Sequence, residues 1–97
     1  MKFVQLIEYT TSRPDEAQAA VEEFLAATEG KRTVGHGMTG QDRDRPNMYF
    51  NIVEFPSYEA AMKNSEMPET QQLAERMQKL CDGPPTFRNL DITYEQT

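Results

Sequence analysis

MYFNIVEFPS, residues 48–57, is the stretch that decides the fold. Dealt alternately onto two faces, its first eight residues place Tyr49, Asn51, Val53 and Phe55 on one side and Met48, Phe50, Ile52 and Glu54 on the other. A strand that is largely apolar on both faces must be covered on both. Pro56-Ser57 ends the strand and opens a helix, with Ser57 as cap and Glu59 in the first turn.

Working upstream, Gln41-Asp42-Arg43-Asp44-Arg45-Pro46 reads as a polar, solvated turn with weak ion pairs. Arg32 to Thr39 precedes it as a weaker strand, so the two strands form a hairpin. Gly35 and Gly37 within that strand are expected to mark a bulge or a close approach. Further back, Ser12-Arg13-Pro14-Asp15 starts a helix, with Ser12 as cap and Pro14 in the first turn. Ala17, Ala20, Val21, Phe24, Leu25 and Thr28 share one helical face, and Gly30 ends the helix in a left-handed conformation. Lys2 to Thr10 is a strand with Phe3, Gln5, Ile7 and Tyr9 on one face and Val4, Leu6 and Glu8 on the other.

Downstream, Met67-Pro68 interrupts the second helix, because the residue before a proline avoids helical geometry. Glu69 and Thr70 restart it, with Thr70, Leu73, Met77, Leu80 and Cys81 on its buried face. Asp82-Gly83-Pro84-Pro85 stops it. Thr86 to Tyr94 is the last strand, with Leu90, Ile92 and Tyr94 on one face. The order βαββαβ predicts an α+β, ferredoxin-like fold: a four-stranded antiparallel sheet with both helices on one face, in a single domain over residues 1–97. The other sheet face is then bare and apolar. A homodimer through that face is expected, since so large an exposed patch is unusual on a monomer.

The net charge of −6 comes without any Lys/Arg run, which argues against nucleic acid and anionic membranes as partners. No apolar run reaches the ~18 residues that span a bilayer. Gln5 and Glu8 break any signal-peptide core, so the expected location is cytoplasmic. Cys81 is the only cysteine and His36 the only histidine, too few for a zinc site, and no metal or other cofactor is expected. Cys81 reads as a small buried hydrophobe, and most of the methionines as fillers of gaps in the core.

IVEFPSYEAAMKNSEMPETQQLAERM, residues 52–77, resembles the dimeric α/β-barrel superfamily that includes the antibiotic-biosynthesis monooxygenases. The shared features are a strand ending in a bulky aromatic (Phe55), a serine two residues on (Ser57) and an interrupted helix (Met67-Pro68). Members of that superfamily oxidise aromatic polyketide phenols with oxygen and no cofactor, or degrade haem. The quinone-forming members carry an Asn four residues before a Trp on the third strand, and Asn51 stands four before Phe55. By that resemblance, Asn51 orients a phenolate or holds a developing oxyanion. The chain departs from the pattern in three places. Phe55 lacks an indole N–H, Asn64 and Glu69 stand where many relatives have His, and Ile7 occupies the Asn position of the haem-degrading members, so haem oxygenase activity is not expected.

His36, flanked by glycines, is a candidate general base, or else a hydrogen-bonded strand histidine at an interface. Asn51, disfavoured in a strand, either lines a pocket or bonds to nearby backbone. Tyr9, Tyr49, Phe55 and Asn64 are the candidate substrate-binding residues. Two functions compete. One is a cofactor-independent monooxygenase acting on an aromatic, polyketide-like substrate through Asn51 and His36; the other is a non-catalytic dimeric module for binding a small aromatic ligand or for assembly.

Overall fold

The sheet is built in the order β2-β3-β1-β4, antiparallel throughout. In the computed structural model, which describes residues 2–32 and 35–96, the elements are β1 (Phe3–Thr10), α1 (Pro14–Ala27), β2 (His36–Gln41), β3 (Met48–Phe55), α2 (Tyr58–Glu66), α3 (Pro68–Leu80) and β4 (Thr86–Asp91). This is the expected ferredoxin-like α+β fold, with the second helix divided at Met67-Pro68. Met67 is extended (ψ 136°), the geometry a following proline imposes.

The two strands richest in apolar residues lie at the centre and pair along their full length, from Phe3 opposite Phe55 to Thr10 opposite Met48. Odd-numbered residues of both strands therefore share one face. That face meets the helices: Phe3, Phe55 and Ala61 of α2 form a buried cluster with Val53, Ala60 and Met62 against it. Tyr58 sets its ring edge-on to Phe3 at 5.5 Å. Burying each phenylalanine contributes about 1.5–3 kcal/mol. Ser57 accepts the Ala60 N–H at 3.1 Å, the cap expected of it.

The opposite end of the sheet is held by polar stitching. Thr11 is buried; its hydroxyl donates to the Leu80 carbonyl at 2.6 Å and accepts the Arg13 N–H at 3.0 Å. The Asp82 N–H donates to Thr10 O at 2.8 Å, so the end of α3 is tied to the end of β1. Along its length α3 packs on α1, and α2 packs on β3.

Several expectations are corrected. Arg13, not Ser12, is the N-cap of α1, and no side chain caps it; Ser12 instead bonds Asp82. Leu25 stays exposed although its spacing placed it with the buried face. β2 begins at His36 and runs to Gln41, while Thr33 and Val34, assigned to it from sequence, lie outside the described residues. Its register with β3 is unbroken and a Cβ at Gly37 would meet only ordinary contacts, so neither a bulge nor a crowded backbone is found there. Met38 is 48% exposed rather than filling the core. β4 ends at Asp91 because β1, its pairing partner, begins at Phe3; one further bond, Ile92 N–H to Lys2 O, follows, and Tyr94 projects into solvent. Gly30 has φ +82°, the left-handed position expected after α1.

Candidate functional site

The helices close the odd-numbered face at its two ends and leave its middle open. One end is the Phe3, Phe55 and Ala61 cluster. The other is Tyr9, buried and paired with Tyr49 across β1 and β3, their rings 5.8 Å apart. Between them Ile7, Asn51 and Val53 are only half-buried, Thr39 and Asn89 are exposed, and Phe87 on the edge strand is 54% exposed. The result is an open strip of sheet with apolar ends and a polar middle, the floor of a candidate cleft. Such a mixture suits a small aromatic molecule bearing oxygen functions.

The polar floor is ordered by cross-strand pairs. Thr39 faces Asn51 in register, and its hydroxyl donates to Asn51 Oδ1 at 2.8 Å. With the oxygen engaged by β2, the two amide N–H groups are what Asn51 offers to anything in the cleft. Gln41 donates to the Pro46 carbonyl at 2.7 Å and to the Tyr49 hydroxyl oxygen at 3.3 Å. On the far side, Gln5 donates to Asn89 Oδ1 at 3.2 Å.

Asn64 lies on α2 one turn beyond Ala61, whose side packs on the sheet, and is itself only 9% exposed. Its Oδ1 is buried with no hydrogen-bond partner. Leaving such an acceptor unpaired costs about 1–3 kcal/mol. Beyond the helix break, Thr70 Oγ1 is in the same condition. The sequence singled out Asn64 only through the resemblance; in the structure it is a buried residue of α2.

Burial, with smaller effects from Cys81 and Tyr49 beside it, pushes the Tyr9 hydroxyl pKa upward. Tyr9 is therefore a donor at neutral pH and not a base. Burial and then the Asp82 carboxylate likewise push the Cys81 thiol up, which keeps it in its unreactive form.

Asn51, Tyr9, Tyr49 and Phe55 are brought to one face, but His36 is not among them. His36 pairs with Glu54, even-numbered positions on the opposite face, and lines a shallow hollow with Lys2, Arg32, Glu54 and Phe55. Across that face Val4, Leu6, Phe50, Ile52, Met38 and Leu90 form an apolar centre, with Glu8, Glu54, His36 and Arg88 around it. Thr39 and Gln41, which sequence reading missed as site residues, are the partners of Asn51 and Tyr49. Their signal was the alternation itself, visible only once the β2–β3 register is known.

Among the described residues no group of acidic, His and Cys side chains is arranged to hold a metal, and no helix is long and apolar enough to cross a membrane. No protein-family model and no curated protein matches the sequence. Solved structures match it over nearly its whole length. SnoaB, a cofactor-independent oxygenase from Streptomyces nogalater, superposes with a TM-score of 0.80 at 18% identity, over 99% of this chain and 95% of that one. Rv0793 from Mycobacterium tuberculosis gives 0.81 at 13% identity with both chains fully covered. An antibiotic biosynthesis monooxygenase gives 0.77 at 15% identity, over 97% of this chain and all of that one. At these identities the likeness is one of architecture: the chain has the ferredoxin-like fold of the antibiotic biosynthesis monooxygenase-like proteins.

Proposed function

We propose that the chain binds an electron-rich phenol in the cleft between its sheet and α2 and oxidises it with molecular oxygen, without a cofactor. The observation that carries this reading is Asn51, half-buried on the helix-side face of the sheet, with its amide oxygen taken by Thr39 and its N–H groups left to a ligand. A phenolate oxygen above that floor accepts from Asn51. Donors fixed before the ligand arrives stabilise the oxyanion without reorganisation. The shared fold with SnoaB, described as a cofactor-independent oxygenase, points the same way.

The stoichiometry closes without an outside reductant. Converting a phenol ring C–H and its hydroxyl to a quinone gives up two hydrogens and gains one oxygen atom. One O2 supplies that atom, and its second oxygen leaves as water with the two hydrogens. Activation falls to the substrate's own acidity, held as phenolate by Asn51, because Tyr9 stays protonated and His36 is on the other side of the sheet.

An oxygen electrode with a phenolic anthrone tests this. One O2 should be consumed per substrate, and Asn51→Ala should lower kcat/KM by about 10²-fold, the usual effect of losing one oxyanion donor. No uptake above buffer would reject the oxidation. The lack of a base beside Asn51 favours a second reading, in which the cleft holds an aromatic ligand unchanged. Thermal stabilisation by the anthrone, with the ligand recovered intact, would select it.

The face turned away from the helices supports a further part of the proposal: two copies pair through it. An apolar centre ringed by charge is the composition of an interface, and neither Glu8 nor Arg88 has an ion-pair partner among the described residues. A two-fold arrangement lets each meet an opposite charge.

A further inference from the structure

We propose that Thr39 is a positioning residue for the cleft: its hydroxyl holds the Asn51 carboxamide by the oxygen and leaves the N–H2 group turned to a bound phenolate. The inference rests on the reading of Asn51 as the residue that meets the ligand.

A primary amide has nearly the same shape in both orientations, but a half-turn exchanges two donors for an acceptor. Facing an anionic oxygen, one orientation attracts and the other repels. Something must choose between them, and the backbone of β3 does not, since its own N–H and C=O groups serve the ladders to β1 and β2. Thr39 does. It is the register partner of Asn51, and Asn51 Oδ1 is the acceptor its hydroxyl proton has, at 2.8 Å. Reversing the amide would make the hydroxyl accept from Nδ2, turn its own proton to solvent and present oxygen to the ligand.

The same design recurs at the next position along β2 on this face. Gln41 donates to Tyr49 Oη while anchored on the Pro46 carbonyl, so the Tyr49 proton is left to point elsewhere. Strand β2 thus carries a row, Thr39 and Gln41, whose bonds set the polar tips of the row beside it, Asn51 and Tyr49. Threonine suits the place because its β-branched stem fits an exposed strand while its hydroxyl reaches across.

The test uses the full chain and para-nitrophenol, whose absorbance separates phenol from phenolate, and reads the pH at which the bound probe ionises. Thr39→Val keeps the shape and removes the hydroxyl. It should weaken the preference for phenolate roughly tenfold, against up to about a hundredfold for Asn51→Ala, since hydrogen bonds to charged groups span that range. Thr39→Ser should restore the wild-type titration, and Thr39→Val combined with Asn51→Ala should match Asn51→Ala alone. A wild-type titration in Thr39→Val while Asn51→Ala shifts would overturn the role of Thr39 and leave Asn51 standing. Unchanged titration in both would remove the reading of Asn51 as well. A Thr39→Ser variant that behaves like Thr39→Val, or additive effects in the double variant, would show that the hydroxyl is not the agent.

Discussion

The two faces of the sheet are made from alternate residues of the same strands, yet they are composed in opposite ways. The face turned to the helices, where a dry core would be expected, carries Gln5, Thr39, Asn51 and Asn89 across its middle. The face turned away from them carries Val4, Leu6, Phe50 and Ile52 there. In a small monomer this is the wrong way round: the helix side is where apolar groups would be shielded, and apolar groups facing outward keep water at a cost. The inversion makes sense if each face has a further occupant, a polar aromatic ligand on one and a second copy on the other. Packing at the two ends of the cleft then provides the stability, and the middle is kept for function.

That contrast can be broken from either side. The largest effect is expected from Leu6→Glu, which places a carboxylate at the centre of the bare face. An unpaired buried charge costs about 3–5 kcal/mol, so sedimentation should show the dimer constant weakened about 10²–10³-fold. Anthrone binding measured on the separated subunit should persist. Phe3→Ala, at the closed end of the cleft, should lower unfolding free energy by about 3 kcal/mol or more in a urea titration. Asn64→Leu inverts the usual sign. Removing a buried acceptor with no partner should raise stability by about 1 kcal/mol, seen as a higher Tm. Loss of stability in Asn64→Leu would mean that the carbonyl is satisfied after all.

Smaller effects follow from titration. The Tyr9 pKa is raised above its ordinary 10.0, so the folded state keeps that proton more tightly than the unfolded chain. The stability tied to it is fully present below pH 10 and is lost as pH climbs through the folded value. Tyr9→Phe should flatten that alkaline decline. At the far edge, the Asp44 and Arg45 N–H groups and the Arg45 guanidinium hold the Asp42 carboxyl below its ordinary 3.8. Its contribution is present above that pH and fades below it, and is expected only as faster amide exchange at Asp44 and Arg45 on acidification.

Much of the architecture was legible in the sequence because it rests on local physics. Pro14, Ser57, Met67-Pro68 and Gly30 act on their own backbone or the adjacent turn, and each sits where it was expected. The strands β1 and β3 announce themselves by composition. What was not legible depends on register. His36 and Asn51 are separated by fifteen positions along the chain, and whether they share a face turns on the length of the hairpin between them. Gln41 stays in the ladder opposite Tyr49, and that register fixes the parity and sends His36 to the other side. The same parity brings Thr39 beside Asn51. Ser12 failed as a cap because the helix begins one residue later than expected, with Arg13 at the N-cap, and its hydroxyl bonds Asp82 instead.

Leu6 and Ile7 are adjacent in sequence and lie on opposite faces, which makes them a matched pair of reporters. In a Cys81→Ser background, the thiols of Leu6→Cys and Ile7→Cys can be timed against a soluble alkylating reagent. The thiol at position 7 should react readily and be shielded by the anthrone at any protein concentration. The thiol at position 6 should be shielded in concentrated protein, become reactive on dilution, and ignore the anthrone. Equal reactivity at position 6 at every concentration, or indifference of position 7 to the ligand, would contradict the division of labour between the two faces.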